Sequence, residues 1–219
     1  MDYYYNESPR RGFFSMIPPV TGNILLINII MFVATLANER FMIETFSLFY
    51  PASPFFKIWQ PITHMFMHGG FFHIFFNMYS LFLFGSVLEK SIGSKKFFVF
   101  YFLSGFGSML LHILTVHLSG DPITQTIVPM LGASGAIYGI FIGYAMMYPD
   151  SVITLLFPPV SLKAKWMMII FAAIELLIGI YDTNDGVAHF AHLGGMLIGF
   201  LLMLYWKKSG RIWSRNKWI

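Results

Sequence analysis

No cysteine occurs in the 219 residues, which removes a thiol nucleophile, a disulfide framework and a thiolate metal site together. Charge is nearly as scarce, since Asp, Glu, Lys and Arg make up 11% of the chain against about 25% in ordinary globular proteins. The aspartates Asp2, Asp121, Asp150, Asp182 and Asp185 all fall outside the long apolar runs or at their ends. No pair of aspartates can therefore meet inside a membrane to form an aspartyl protease site. There are seven histidines, but HExxH is absent and no acidic residue shares their segments at ligand spacing. Neither a metal nor any other cofactor is expected. A repeated half with paired broken helices is missing too, which counts against a proton-coupled transporter, the alternative that Glu175 and the histidines would otherwise raise.

What the chain has in excess is apolar surface: 57% of residues are hydrophobic and the mean hydropathy is +0.67. Six runs near the length of a membrane span, with few or no charges, cover residues 20–37, 71–88, 97–117, 134–147, 166–181 and 188–206. They predict an all-α membrane protein, a bundle of six transmembrane helices. The fourth and fifth are short, so either they tilt little or a partly buried loop supplies the missing depth. All of the 14 Lys and Arg except Arg40 and Lys57 fall in the N-terminal tail, in the loops after the second and fourth runs, or in the C-terminal tail. By the positive-inside rule both termini are cytoplasmic, and the basic tails anchor the chain to a lipid surface instead of marking a nucleic-acid partner. The expected organisation is a short tail over 1–19, a membrane domain over 20–206 and a basic tail over 207–219. The first run is too long for a signal-peptide core and reads as an uncleaved anchor. Residues 38–70, rich in Phe, Tyr and Trp, read as a segment lying in the outer membrane interface.

Polar groups inside the spans are few, and each needs a reason. Ser134 opens the fourth run, which carries Gly135, Gly139 and Gly143 at a spacing of four. Such a strip lets another helix approach backbone to backbone. Taken alone, Ser134 is one more small packing residue. In the sixth run, however, Ala191, Gly195 and Gly199 form a second strip with His192 on the same face. A close crossing of the two strips would bring Ser134 and His192 within the roughly 2.6–3.2 Å that a nucleophile and its base require. His189 is the rival base, but its spacing from the glycines fits the packed face less well. His73 and Asn77 lie four apart in the second run and share a face that must turn inward. They are either hydrogen-bonding links between helices or fixed donors for a developing negative charge. With both termini inside, His73, Ser134 and His192 fall at similar depth near the outer ends of their spans. Glu175 in the fifth run is either a proton relay or a protonated, hydrogen-bonded side chain.

The segments HGGFFHIFFN (68–77), GASGAIYG (132–139) and AHLGGMLIG (191–199), in that order on the second, fourth and sixth spans, resemble the rhomboid family of intramembrane serine proteases. The resemblance implies a rhomboid-like fold and a serine endopeptidase that cleaves transmembrane protein substrates within the bilayer, with a rhomboid-like pseudoprotease that only binds membrane segments as the alternative. It implies Ser134 as nucleophile and His192 as base, with His73, Asn77 and the Ser134 N–H as the oxyanion hole. Tyr138 would support the His192 ring, Gly132 and Gly135 would flank the serine, and His68 would help line a water-filled approach. The implied location is a bacterial inner membrane. Where the family often has Trp-Arg, this chain has Trp59-Gln60. Asp185 stands seven residues before His192, about 10 Å along a helix, too far for direct contact, so a Ser-His dyad is expected. The bulky outer halves of the second and fifth spans mark them as the gate, and the resemblance puts Phe76 and Glu175 at its closing contact, with Glu175 protonated.

Overall fold

The computed structural model describes residues 17–155, 159–181 and 187–212, so the N-terminal tail, Asp182, Asp185 and the end of the basic tail lie outside the described residues. Helix α1 spans Pro19–Ala37. Proline at its first position needs no hydrogen-bond acceptor, and the next two N–H groups donate to one side chain far along the chain. Glu89 Oε1 accepts from Val20 N at 3.0 Å and Oε2 from Thr21 N at 2.7 Å. The Thr21 and Ser94 hydroxyls donate to the same carboxylate, each at 2.7 Å. Glu89 is 1% exposed, and a buried carboxylate at a helix N-terminus stabilises it by satisfying orphan donors and opposing the helix dipole.

The segment expected to lie in the interface is folded: it contains α2 (Glu39–Phe46), the short α3 (Gln60–Thr63) and a 3₁₀ turn, His64–Phe66. The second span runs continuously from Phe71 to Ile92 as α4 (Phe71–Ser80), a π-helical turn (Leu81–Gly85) and α5 (Ser86–Ile92). Then come α6 (Ser94–Ser119), α7 (Pro122–Ile127), α8 (Ser134–Met147), α9 (Ala164–Tyr181) and α10 (His189–Lys208). Among the described residues, five helices are long and apolar enough to cross a membrane, and α8, at 14 residues, is shorter. Among the described residues the all-α expectation has one exception in named strands, a two-stranded antiparallel hairpin of β1 (Val152–Thr154) and β2 (Ser161–Lys163). Asp150 braces it, with Lys163 and Lys165 at 3.1 and 2.8 Å.

At the centre α6, α8 and α10 pack on one another. A methyl group on Gly195 would collide with the carbonyl of Gly135, and one on Gly199 would lie 2.9 Å from Gly139 Cα. Gly107 on α6 meets α10 in the same way, with the Gly194 carbonyl oxygen 2.9 Å from where its Cβ would be. Gly143 does not continue the α8 strip toward α10 but faces Leu88 and Phe100. Lipid gives no hydrophobic drive for helices to associate, so this backbone-level contact is what joins them. Gly195→Ala is expected to cost about 1–3 kcal/mol by overpacking, read as a lowered thermal midpoint in detergent, because the group it strikes is backbone and cannot rotate away.

Candidate active site

The glycine contact brings the first turns of α8 and α10 together. His192 Nε2 lies 2.9 Å from Ser134 Oγ, a hydrogen bond between a hydroxyl and the group able to take its proton. The His192 ring is fixed from one side by Tyr138, stacked with centroids 4.2 Å apart and planes 11° from parallel. As the first residue of α8, Ser134 has an N–H with no intrahelical acceptor, at the positive end of the helix dipole.

A second set of contacts shapes the ground beside the serine. Leu48 and Met130 exchange backbone hydrogen bonds at 2.9 and 2.8 Å, and Gly132 N–H donates to the His64 carbonyl at 2.9 Å. These hold the strand of chain that leads into α8. Gly132 has φ +126°, open to glycine, and a side chain there would put its Cβ 2.8 Å from His73 Nε2 and 3.7 Å from Ser134 Oγ. His73 and the serine thus border one small space. Gly69 N–H donates to His73 Nδ1 at 3.4 Å, which leaves the neutral ring's proton on Nε2, the atom facing that space. Asn77 is buried one turn further along α4. His68 packs edge-on to His73, with centroids 4.9 Å apart, and both its ring nitrogens are buried without a hydrogen-bond partner among the described residues. Burial, with His73 adding to it, pulls the His68 pKa down to about 3, so the ring stays neutral.

Gln60, which stands where the family often has arginine, is fully buried and ties the segment between α1 and α4 together. Its Oε1 accepts from Phe49 N at 3.2 Å and Lys57 N at 3.1 Å, and its Nε2 donates to the Phe55 carbonyl at 3.0 Å. A neutral amide with donors and acceptor in one plane does this without burying a charge.

Two expectations are corrected at Glu175. It does not close a gate against Phe76, which sits on α4 at 54% exposure, while Glu175 is 6% exposed and turned into the bundle. Nor is the space behind His192 empty of carboxylate: Glu175 Oε2 lies 2.9 Å from His192 Nδ1 and 2.7 Å from His189 Nδ1, and Oε1 accepts from the Tyr138 hydroxyl. The His192 contact is that of a charge partner off the N–H axis, not an aligned hydrogen bond. His189 is engaged with the carboxylate instead of with Ser134. The reason the sequence misleads is that α9 is apolar all round and gives no amphipathic phase. The available signal was Gly179, four residues on and so on the same face, which lies against His189 and Phe190. Glu175, His189 and His192 thus bring a carboxylate oxygen and two ring nitrogens within 4.8 Å of one another. Spacing could not reveal this cluster, because its members come from two helices.

The family model of the rhomboid domain matches residues 56–209. The chain belongs to the rhomboid family. It is thus a multi-pass integral membrane protein of an intramembrane-protease family. Among similar rhomboids, RHOMBOID-like protein 6, mitochondrial, of Arabidopsis thaliana is 32% identical over 144 residues, covering 66% of this chain and 42% of that protein. Rhomboid-like protease 3 of Toxoplasma gondii is 30% identical over 174 residues, 78% of this chain and 60% of that one. Rhomboid protease GlpG of Photorhabdus laumondii subsp. laumondii is 26% identical over 204 residues, 91% of this chain and 65% of that one. The chain spans less than half the length of the Arabidopsis relative.

The buried histidines His64 and His68, between α3 and α4, make this rhomboid's stability depend on pH. Burial holds the His64 pKa at about 4, whereas an unfolded histidine titrates near 6.5. Between those values the unfolded chain binds the extra proton, so stability is full above about pH 6.5 and declines as pH falls toward 4. Thermal melts of the wild-type chain should show that decline, and His64→Asn should make it shallower, leaving the share that the buried His68 contributes.

Proposed function

We propose that this rhomboid is an intramembrane serine endopeptidase acting on transmembrane protein substrates, with Ser134 as nucleophile and His192 as general base. The observation that carries the reading is the 2.9 Å approach of His192 Nε2 to Ser134 Oγ. Ser134 Oγ attacks a peptide carbonyl as His192 takes its proton. His192 then gives that proton to the leaving amine, and water hydrolyses the acyl-enzyme by the same steps reversed. The oxyanion formed on the carbonyl is received by the Ser134 N–H, His73 Nε2–H and the Asn77 amide. His68 and His73 line the approach for water, the polar surface that membrane depth otherwise excludes. Residues 20–206 form the membrane domain between the tails 1–19 and 207–219. Both termini face the cytoplasm of a bacterial inner membrane, a reading supported by the placement of Lys and Arg.

A fluorophosphonate probe applied to the purified chain is expected to label Ser134, with labelling lost in Ser134→Ala and His192→Ala. Asn77→Ala should lose about 10² to 10³ in kcat with KM little changed. A wild-type chain that takes up no more probe than Ser134→Ala would leave the protein a membrane-segment binder without protease chemistry.

Substrate reaches the site between α4 and α9. Their outward faces carry bulky, exposed side chains, Phe72 and Phe76 on one and Leu177 and Ile180 on the other, whereas α6, α8 and α10 are joined backbone to backbone. Phe76→Ala is expected to raise turnover of a transmembrane substrate while changing fluorophosphonate labelling much less, since a small probe needs no lateral opening. Equal changes in both rates would remove α4 from that role.

A further inference from the structure

We propose that Glu175 is a positioning residue for the reaction: as a carboxylate it fixes the Nδ1–H tautomer of His192 and stabilises the imidazolium, so that a Ser134–His192–Glu175 arrangement replaces a bare dyad. The proposal rests on the protease reading above and concerns how its base is prepared.

The argument begins with what holds the carboxylate. An intramembrane carboxyl must find partners inside the protein, and Tyr138 on Oε1 with His189 on Oε2 already give each oxygen a donor. The third contact, to His192 Nδ1 at 2.9 Å, is not required to satisfy the carboxyl. It falls on the one nitrogen of that ring not turned toward Ser134. Three donor-capable groups converging on two oxygens suit an ionised carboxylate, which only accepts.

Next comes what His192 lacks. Its Nδ1 is buried and has no aligned hydrogen-bond acceptor among the described residues, so the nearest anionic oxygen decides where the ring's proton rests. With the proton on Nδ1, Nε2 presents its lone pair to Ser134 Oγ, the state in which it can accept a proton. When it does so the ring becomes a cation in a buried site, and a carboxylate 2.9 Å away offsets that charge far better than water-exposed groups would. The carboxylate takes no proton itself. Tyr138 joins the arrangement from both ends, since it stacks on the ring and donates to Glu175. Ring and carboxylate are thereby held to the same side chain.

Glu175→Gln in the full chain tests this, because the amide keeps the size of the side chain and an oxygen for Tyr138 but carries no charge. We expect kcat on a transmembrane substrate and the fluorophosphonate labelling rate at Ser134 to fall together by about 10²-fold or more, with KM within about twofold of wild type. A residue that merely joined α9 to its neighbours would lower the thermal midpoint and leave labelling of the folded fraction intact. Labelling of folded Glu175→Gln within about threefold of wild type would overturn the proposal. A measurement on the wild-type chain decides the matter even if the variant does not fold. With nitrogen-15 histidine, the His192 resonances, assigned by comparison with His192→Ala, should report the Nδ1–H tautomer, and an Nε2–H tautomer would overturn the proposal. Failure of the underlying protease reading is separately visible, as a wild-type chain labelled no more than Ser134→Ala.

Discussion

Everything at the candidate site depends on the contact between Gly135 and Gly139 on α8 and Gly195 and Gly199 on α10. In lipid, two helices gain little by covering apolar side chains, so the approach has to be close enough for backbone atoms to touch. The glycines permit that distance, and Ser134 and His192, in the same helical turns, are then brought within hydrogen-bond reach. One packing choice thus does two tasks. It joins the helices and sets the separation between the groups that would exchange a proton.

Two buried carboxylates show how this chain accommodates charge where water is scarce. Glu89 ends the second span and gathers the exposed N–H groups of α1 together with two hydroxyls. Its partners are all fixed donors, which makes it a structural clasp between the first and second spans. Glu175 gathers a phenol and two imidazoles. Its partners are groups that can themselves move protons. The difference in partner chemistry, more than the difference in burial, separates a carboxylate that holds the fold from one that can take part in a reaction.

The spans were legible because hydropathy over nearly 20 residues is a strong signal, and α8 begins and ends at residues 134 and 147, where the apolar run does. The small-residue strips were legible for the same reason that they work, since spacing of four puts residues on one helical face. The fold of residues 38–70 was not. It rests on Gln60 reaching backbone groups up to 16 residues away and on Leu48 pairing with Met130, long-range pairings that leave no periodicity. The partner of Glu89 lies 68 residues away and is equally silent in the sequence. Glu175 was visible as an anomaly, but its direction was not, because a helix apolar on every side has no preferred face to read.

Glu175 rides on α9, whereas Ser134, Tyr138 and His192 belong to the glycine-joined pair α8 and α10. The carboxylate is thus carried on a different helix from the serine, the phenol and the imidazole it lies beside. Any outward swing of α9 withdraws it from His192 and from Tyr138 at one stroke. If α9 parts from its neighbours to admit a segment from the bilayer, as proposed above, the contacts from Glu175 to His192 and to Tyr138 open together and re-form only when it returns.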